Sequence, residues 1–251
     1  MSVAAKFNWG LPAQASTYAP AIDWGIGLIH WVMVAMFVLW GSFMLYCLIR
    51  YRSAASRRAE YAEPGHLTSM IPDVAVVIFE LVLIAVYGLP HWAEMKQHLP
   101  AEADCTVVHV VAEQFAWNVH YAGPDGKFGR TDPALVGMNN PIGLDRSDPL
   151  AKDDVFAMNE VHAPLGKMVL IYLTSKDVIH DFFVPEFRMK QDIVPGLRIP
   201  LWFEPTAAGA YEIGCAQLCG IAHYAMRGDF VVETPAQFTA WLKAQAKLDA
   251  I

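Results

Sequence analysis

Over the first ninety residues apolar positions run together; beyond them apolar and polar positions begin to alternate. Residues 24–49 read WGIGLIHWVMVAMFVLWGSFMLYCLI, with no formal charge and one histidine, His30. About 20 apolar residues span a bilayer, so this run predicts a membrane helix long enough to tilt or to project beyond the lipid. It is too long for a signal-peptide core and no basic segment precedes it, so the helix is expected to be retained. Residues 67–90, LTSMIPDVAVVIFELVLIAVYGLP, predict a second helix, with Asp73 near its start and Glu80 near its centre. A carboxylate at mid-bilayer costs about 2.5–3.5 kcal/mol on insertion scales. Glu80 is therefore expected to be protonated or to face protein, either as a proton-path or contact residue or as a hydrogen-bonded packing carboxyl.

From Cys105 onward short runs rich in Val and aromatics replace the long ones. They are TVVHVVAEQFAWNVHY (106–121), KMVLIYLTS (167–175), RIPLWFEPT (198–206), GAYEIGCA (209–216) and GDFVVETP (228–235). Gly, Pro and Asp punctuate them as strand boundaries, and such spacing predicts a small sandwich or barrel. Residues 122–165 are dense in Gly, Pro, Asp and Asn and read as one long surface loop. PAQFTAWLKAQAKLDA (235–250) has helical spacing and is expected to cap the domain.

Charge divides the chain at the same place. Residues 1–100 carry six basic and six acidic side chains, so the whole net charge of −7 falls on 101–251. A negative domain attracts cationic partners and repels nucleic acid, although a general solubility charge would look the same. Arg50, Arg52, Arg57 and Arg58 crowd the link between the two apolar runs. The positive-inside rule places that link in the cytoplasm, which leaves the N-terminus and everything beyond residue 92 on the outer, periplasmic side.

The outer domain carries one dense cluster of soft ligands. GCAQLCGIAHYAMRGDF (214–230) holds Cys215, Cys219, His223 and Met226 in the spacing C-x3-C-x3-H-x2-M. A disulfide would explain the cysteines in an oxidising compartment, but not the histidine and methionine beside them. Zinc accepts thiolate and imidazole but not, as a rule, thioether. Thiolate, thioether and imidazole together favour copper, and a second cysteine leaves room for more than one ion. SKDVIHDFFVP (175–185) offers a further histidine, His180, at the end of a strand-like run. On its own it reads as a packing residue as readily as a ligand.

VIHDFFVP followed by KQDIVPG and then CAQLCGIAHYAM, behind a helix hairpin, resembles subunit II of the haem–copper cytochrome c oxidases over roughly residues 20–235. The resemblance implies an N-terminal two-helix transmembrane hairpin followed by an all-β cupredoxin-like barrel that carries a binuclear copper centre, CuA. On this reading 1–23 is a periplasmic segment. Residues 24–92 are the hairpin, with helices near 24–49 and 67–90 and a cytoplasmic link at 50–66, and 93–251 is the periplasmic copper domain, in a bacterial inner membrane. Cys215 and Cys219 would bridge both coppers, His180 and His223 would bind one each, Met226 would be the weak ligand of one, and the Gln217 carbonyl that of the other. Most relatives carry Glu at 217, whose side chain helps to hold magnesium against subunit I. Gln217 keeps the copper contact and puts the magnesium in doubt. QFAW (114–117) stands where QWYW is common, which makes Phe115 and Trp117 the two candidates for the electron path. The family's proton-uptake carboxylate near the second helix aligns with Gly65, and neighbouring Glu63 is not assigned that role. With no C-x-x-C-H haem motif in the chain, the expected donor is a separate, basic cytochrome c, and the acceptor is haem in subunit I, where oxygen is reduced. Two alternatives remain: the copper-bearing small subunit of a nitric oxide reductase, and a membrane-anchored copper-binding protein. Cys47, Cys105 and the other histidines (His30, His66, His91, His98, His109, His120, His162) carry no motif and are read as structural.

Overall fold

The computed structural model describes residues 9–52 and 65–248. Arg57, Arg58 and Glu63 lie outside them. The chain divides into two compact units, one holding the apolar helices and the other the β domain together with Leu11–Pro20.

In the first unit α1 spans Ala19–Arg50 and α2 spans His66–Leu83. A π-helical stretch, Ile84–Gly88, joins α2 to α3, Leu89–Lys96. The widened turn comes just ahead of Pro90, whose ring cannot sit over a normal α-turn. Both helical stretches are long and apolar enough to cross a membrane. Their large side chains point outward: Phe37 is 78% exposed and Trp31 61%, the arrangement expected where lipid rather than a protein core is the solvent. Gly25 lets the helices approach, because a Cβ there would lie 2.6 Å from the Tyr87 ring. The Tyr87 hydroxyl donates to the Ala21 carbonyl. Trp24 packs on Tyr87, and Trp9 on His30. Glu80 lies at the surface of α2.

The second unit is a sandwich of two five-stranded sheets, ordered β3-β2-β1-β5-β8 and β4-β10-β9-β6-β7. The strands are β1 Thr106–Glu113, β2 Ala116–Tyr121, β3 Val155–Met158, β4 Glu160–Pro164, β5 Val169–Ser175, β6 His180–Val184, β7 Met189–Ile193, β8 Ile199–Phe203, β9 Gly209–Cys215 and β10 Arg227–Glu233. β1 pairs with β5, and β10 with β4, in parallel; the other pairs are antiparallel. Alternation along β1 sends Val108, Val110 and Ala112 inward, where they meet Trp117, Phe182, Ile213 and Phe230 in a core closed to solvent. This is the cupredoxin-like architecture that the resemblance implied.

Two details depart from the sequence reading, and a third was not foreseen by it. The expected loop over 122–165 ends at residue 154, because β3 and β4 lie inside its last third. Both are edge strands, one pairing with β2 and the other with β10, so neither needs the apolar run of a central strand. His180 begins β6 rather than ending a strand. Residues 11–20 lie along the β domain: Ser16 Oγ donates to the Phe187 carbonyl at 2.7 Å, and Ala15 exchanges backbone bonds with Glu186 and Thr206.

Two histidines without a motif prove to be fastenings. His120 Nε2 is 2.7 Å from buried Asp154, whose carboxylate also accepts the Gly129 amide, and this holds the long loop to the outer face of the first sheet. His162 lies between Glu160 and Glu233 at 2.7 and 2.8 Å. Its ring stacks on Trp241 of α4, Pro235–Leu248, with centroids 3.9 Å apart. Trp241 also meets Tyr121 edge-on, and Phe238 of the same helix lies against both rings. Trp241→Ala is expected to destabilise the domain by about 2 kcal/mol, below the range for a fully buried tryptophan because this one is half-buried. Thermal melting of the purified chain would show this as a lowered midpoint with metal content unchanged.

Candidate metal centre

The ligand residues meet because two neighbouring strands of the second sheet end together. β6 and β9 run antiparallel with Phe182 opposite Cys215, so the start of β6 lies beside the end of β9. The loop from β9 to β10 is closed at its base, where the Cys215 amide donates to the Met226 carbonyl at 3.2 Å. The Ala216 amide donates to the Asp181 carbonyl and ties the loop to β6. A short 3-10 turn at His223–Ala225 then brings His223 and Met226 back toward the cysteines.

All six residues expected as ligands converge there. Both cysteines are free, and their sulfurs are 3.7 Å apart, well beyond the ~2.05 Å of a disulfide. His180 Nδ1 is 3.9 Å from Cys215 Sγ and His223 Nδ1 is 3.5 Å from Cys219 Sγ. Met226 Sδ is 3.8 Å from Cys219 Sγ, and the Gln217 carbonyl is 3.2 Å from Cys215 Sγ. The ligand atoms of His180, Cys215 and Cys219 lie within 4.8 Å of one another, and His223 falls outside that group. The donor set is thus elongated, with thiols in the middle, His180 at one end, and His223 with Met226 at the other. Cys219 and Met226 are buried, whereas Leu218, Ile221 and Tyr224 stand out around them, Ile221 at 93% exposure.

The electrostatics favour one thiolate in the metal-free protein. Burial opposes ionisation of Cys215, but hydrogen bonds from the His180 ring, the Asp181 and Gln217 backbone and His223 outweigh it and hold the thiol at about 6. Burial and the neighbouring Cys215 push Cys219 up to about 11, since two anions this close do not both form without a cation. A soft metal would supply that positive charge, and thiolate, imidazole and thioether donors are the set it prefers.

Asp177 orients His180. Its Oδ1 lies 2.9 Å from His180 Nε2, which leaves Nδ1 as the ring nitrogen that faces the sulfurs, the usual arrangement behind a metal-bound histidine. Burial lowers and these partners raise the His180 pKa; the hydrogen bonds to Cys215 and Asp177 win, and it lies above the ordinary value. Asp177 goes down despite burial, held by His180 and by the Gln114 and Val178 amides. The D-x-x-H spacing of 177–180 is the signal for this pair in the sequence.

The two electron-path candidates differ in position. Trp117 is fully buried, its ring 6.3 Å from His180 and 5.5 Å from Phe182. Phe115 is half-buried and covers Gly220, where a Cβ would lie 3.0 Å from its ring. The Gln217 side chain is exposed, and its oxygen accepts the Leu218 amide at 3.2 Å.

Fold and site together define a β-sandwich behind two apolar helices, with a thiol–imidazole–thioether cluster of the kind that a soft metal prefers. Comparison with known proteins places it more narrowly. The family profile described as cytochrome c oxidase subunit II, periplasmic domain, matches residues 138–234. The alternative cytochrome c oxidase subunit 2 of Bradyrhizobium diazoefficiens is 36% identical over 239 residues, spanning 95% of this chain and 81% of that one. Cytochrome c oxidase subunit 2 of Cereibacter sphaeroides is 30% identical over 248 residues, spanning 93% and 79%. The chain belongs to the cytochrome c oxidase subunit II family.

Proposed function

We propose that this chain is the electron-accepting subunit of a haem–copper terminal oxidase, taking electrons from cytochrome c and delivering them to haem in subunit I, where oxygen is reduced to water. The observation that carries the proposal is the elongated donor set. Two central thiols with an imidazole at either end suit two copper ions better than one, because a single ion would draw its ligands into one sphere. A copper pair held there would supply one-electron redox chemistry. His180, Cys215, Cys219, His223, Met226 and the Gln217 carbonyl would hold it. Asp177 keeps His180 in the tautomer that ligates, and the closed base of the β9–β10 loop limits how far the ligands can move. Burial of Cys219 and Met226 speaks against the exchangeable site that a copper chaperone needs, and the relatives reported above are oxidase subunits, not nitric oxide reductases. Gln217 offers a neutral side chain already turned to its own loop, without the carboxylate by which proteins hold magnesium.

The two apolar helices and the family support a membrane protein with a periplasmic domain. We place residues 1–23 and 93–251 in the periplasm, the hairpin 24–92 in the inner membrane, and the link 50–66 in the cytoplasm beside Arg50 and Arg52. Glu80, at the surface of a membrane helix, would then face another subunit rather than lipid. The excess negative charge of 101–251 suits a basic donor, and the apolar rim of Leu218, Ile221 and Tyr224 suits close approach of a partner to the centre.

The test is metal content and spectroscopy on the full chain in detergent. Two coppers per chain, an electron-spin resonance pattern of one electron shared over both, and loss of electron uptake from reduced cytochrome c on copper removal are the expected results. A single copper with an ordinary four-line pattern would overturn the proposal.

A further inference from the structure

The metal ligands all come from one sheet, and they reach the centre on two separate segments. His180 starts β6, after the crossing from β5; the cysteines, His223 and Met226 ride on the β9–β10 loop. Backbone contacts at Phe182–Cys215 and Ala216–Asp181 hold the bases of these segments together. The far side of the β9–β10 loop, at Cys219, is beyond those contacts.

A residue of the other sheet reaches both segments. Gln114 sits in the β1–β2 turn. Its backbone amide donates to Asp177 Oδ2 at 2.7 Å, and the other oxygen of that carboxylate pairs with His180 Nε2 at 2.9 Å. Its side-chain Nε2 donates to the Cys219 carbonyl at 2.6 Å. One residue is therefore bonded to the histidine segment through Asp177 and to the cysteine loop directly. The fit is close, because a Cβ on Gly220 would meet Gln114 Nε2 at 2.7 Å and the Phe115 ring at 3.0 Å. The turn itself is anchored: the Lys176 amide donates to the Ala112 carbonyl at 3.0 Å, and Lys176 Nζ pairs with Glu113 at 2.6 Å.

We propose that Gln114 is a positioning residue for the metal centre, a strap from the first sheet that fixes the distance between His180 and Cys219. The inference rests on the metal-centre reading above and adds to it a residue that touches no ligand atom. Two independent segments can drift apart whenever an ion leaves or changes charge. A strap on both keeps the donor set at one spacing and slows loss of the ion.

Gln114→Met tests this, because it keeps side-chain length and the backbone bond to Asp177 but has no amide to offer Cys219. In the full chain loaded with copper in detergent, Gln114→Met is expected to release copper to a chelator about 10-fold faster than the unaltered chain, the ratio that one hydrogen bond of about 1.4 kcal/mol gives. Its resonance pattern should broaden, while the melting midpoint of the metal-free chain, which has the same bond, falls by a few degrees at most. Release at the original rate with an unchanged spectrum overturns the strap. Faster release with an unchanged resonance pattern overturns it too, since a merely structural residue would leave the spacing of the donor set unmoved. Should the unaltered chain hold a single copper, the electron-transfer proposal fails, and the strap is still judged on the same ratio of release rates for that ion.

Discussion

Cys219→Ser is expected to remove the metal centre as a pair and, with it, more than about 99% of electron uptake from cytochrome c, since soft donors select copper and the hydroxyl is a hard one. Cys219 is the hub of the cluster: Cys215, His223 and Met226 all lie within 3.8 Å of its sulfur. Serine there leaves His223 and Met226 with no thiolate to share and His180 with Cys215 alone. Burial compounds the loss. Cys219 ionises only against burial and a neighbouring thiolate, which hold it at about 11 without metal, and a serine hydroxyl in the same place will not ionise at all. On the two-copper proposal, metal analysis should show copper falling from two per chain to one or none, and stopped-flow mixing with reduced cytochrome c should show the loss of uptake. Cys105→Ser, outside the ligand cluster, should leave both quantities unchanged. A Cys219→Ser chain that still holds two coppers would refute the ligand assignment.

The parts of this molecule visible in its sequence are those whose signal is local. An uninterrupted apolar run is enough to mark α1, and C-x3-C-x3-H-x2-M is enough to mark the loop at 215–226, because all four residues lie on one short connection. β1, β5 and β9 were legible because Val and aromatics crowd the core of the sandwich. β3 and β4 were hidden because an edge strand borrows its order from one neighbour. The roles of His120 and His162 were hidden for a different reason. Asp154, the partner of His120, stands 34 positions away, and although Glu160 is only two positions from His162, Glu233 on its other side stands 71 away, and no spacing rule reaches that far. Gln114 and Asp177 belong with them: the bond between them spans 63 positions, and the bond from Gln114 to Cys219 spans 105. The ligands could be read in sequence and their supports could not, since supports are recruited from wherever the fold brings a donor.

Trp117→Ala is expected to destabilise the β domain by about 3–5 kcal/mol, a large share of the roughly 5–15 kcal/mol that holds an ordinary domain together. The ring is fully buried, it sits beneath His180 and Phe182, and it fills the space over Gly228, where a Cβ would lie only 3.0 Å from it. The strand around it is pinned to Asn159, which accepts the Trp117 amide and donates its own amide to the Trp117 carbonyl. The backbone therefore cannot collapse into the cavity that alanine leaves. Melting of the full chain should fall by about 10 °C or more. Trp117→Phe fills most of the same space and should lose much less, which lets it separate two roles that alanine confounds. If Trp117 is only a core aromatic, Trp117→Phe will lower the melting midpoint slightly and accept electrons from cytochrome c at the original rate. If it lies on the electron path, uptake will slow while the copper spectrum stays the same. Phe115→Ala gives the opposite contrast: its half-buried ring contributes little to the core, so slowed uptake there at unchanged stability would place the path at the surface over Gly220 rather than through the sandwich.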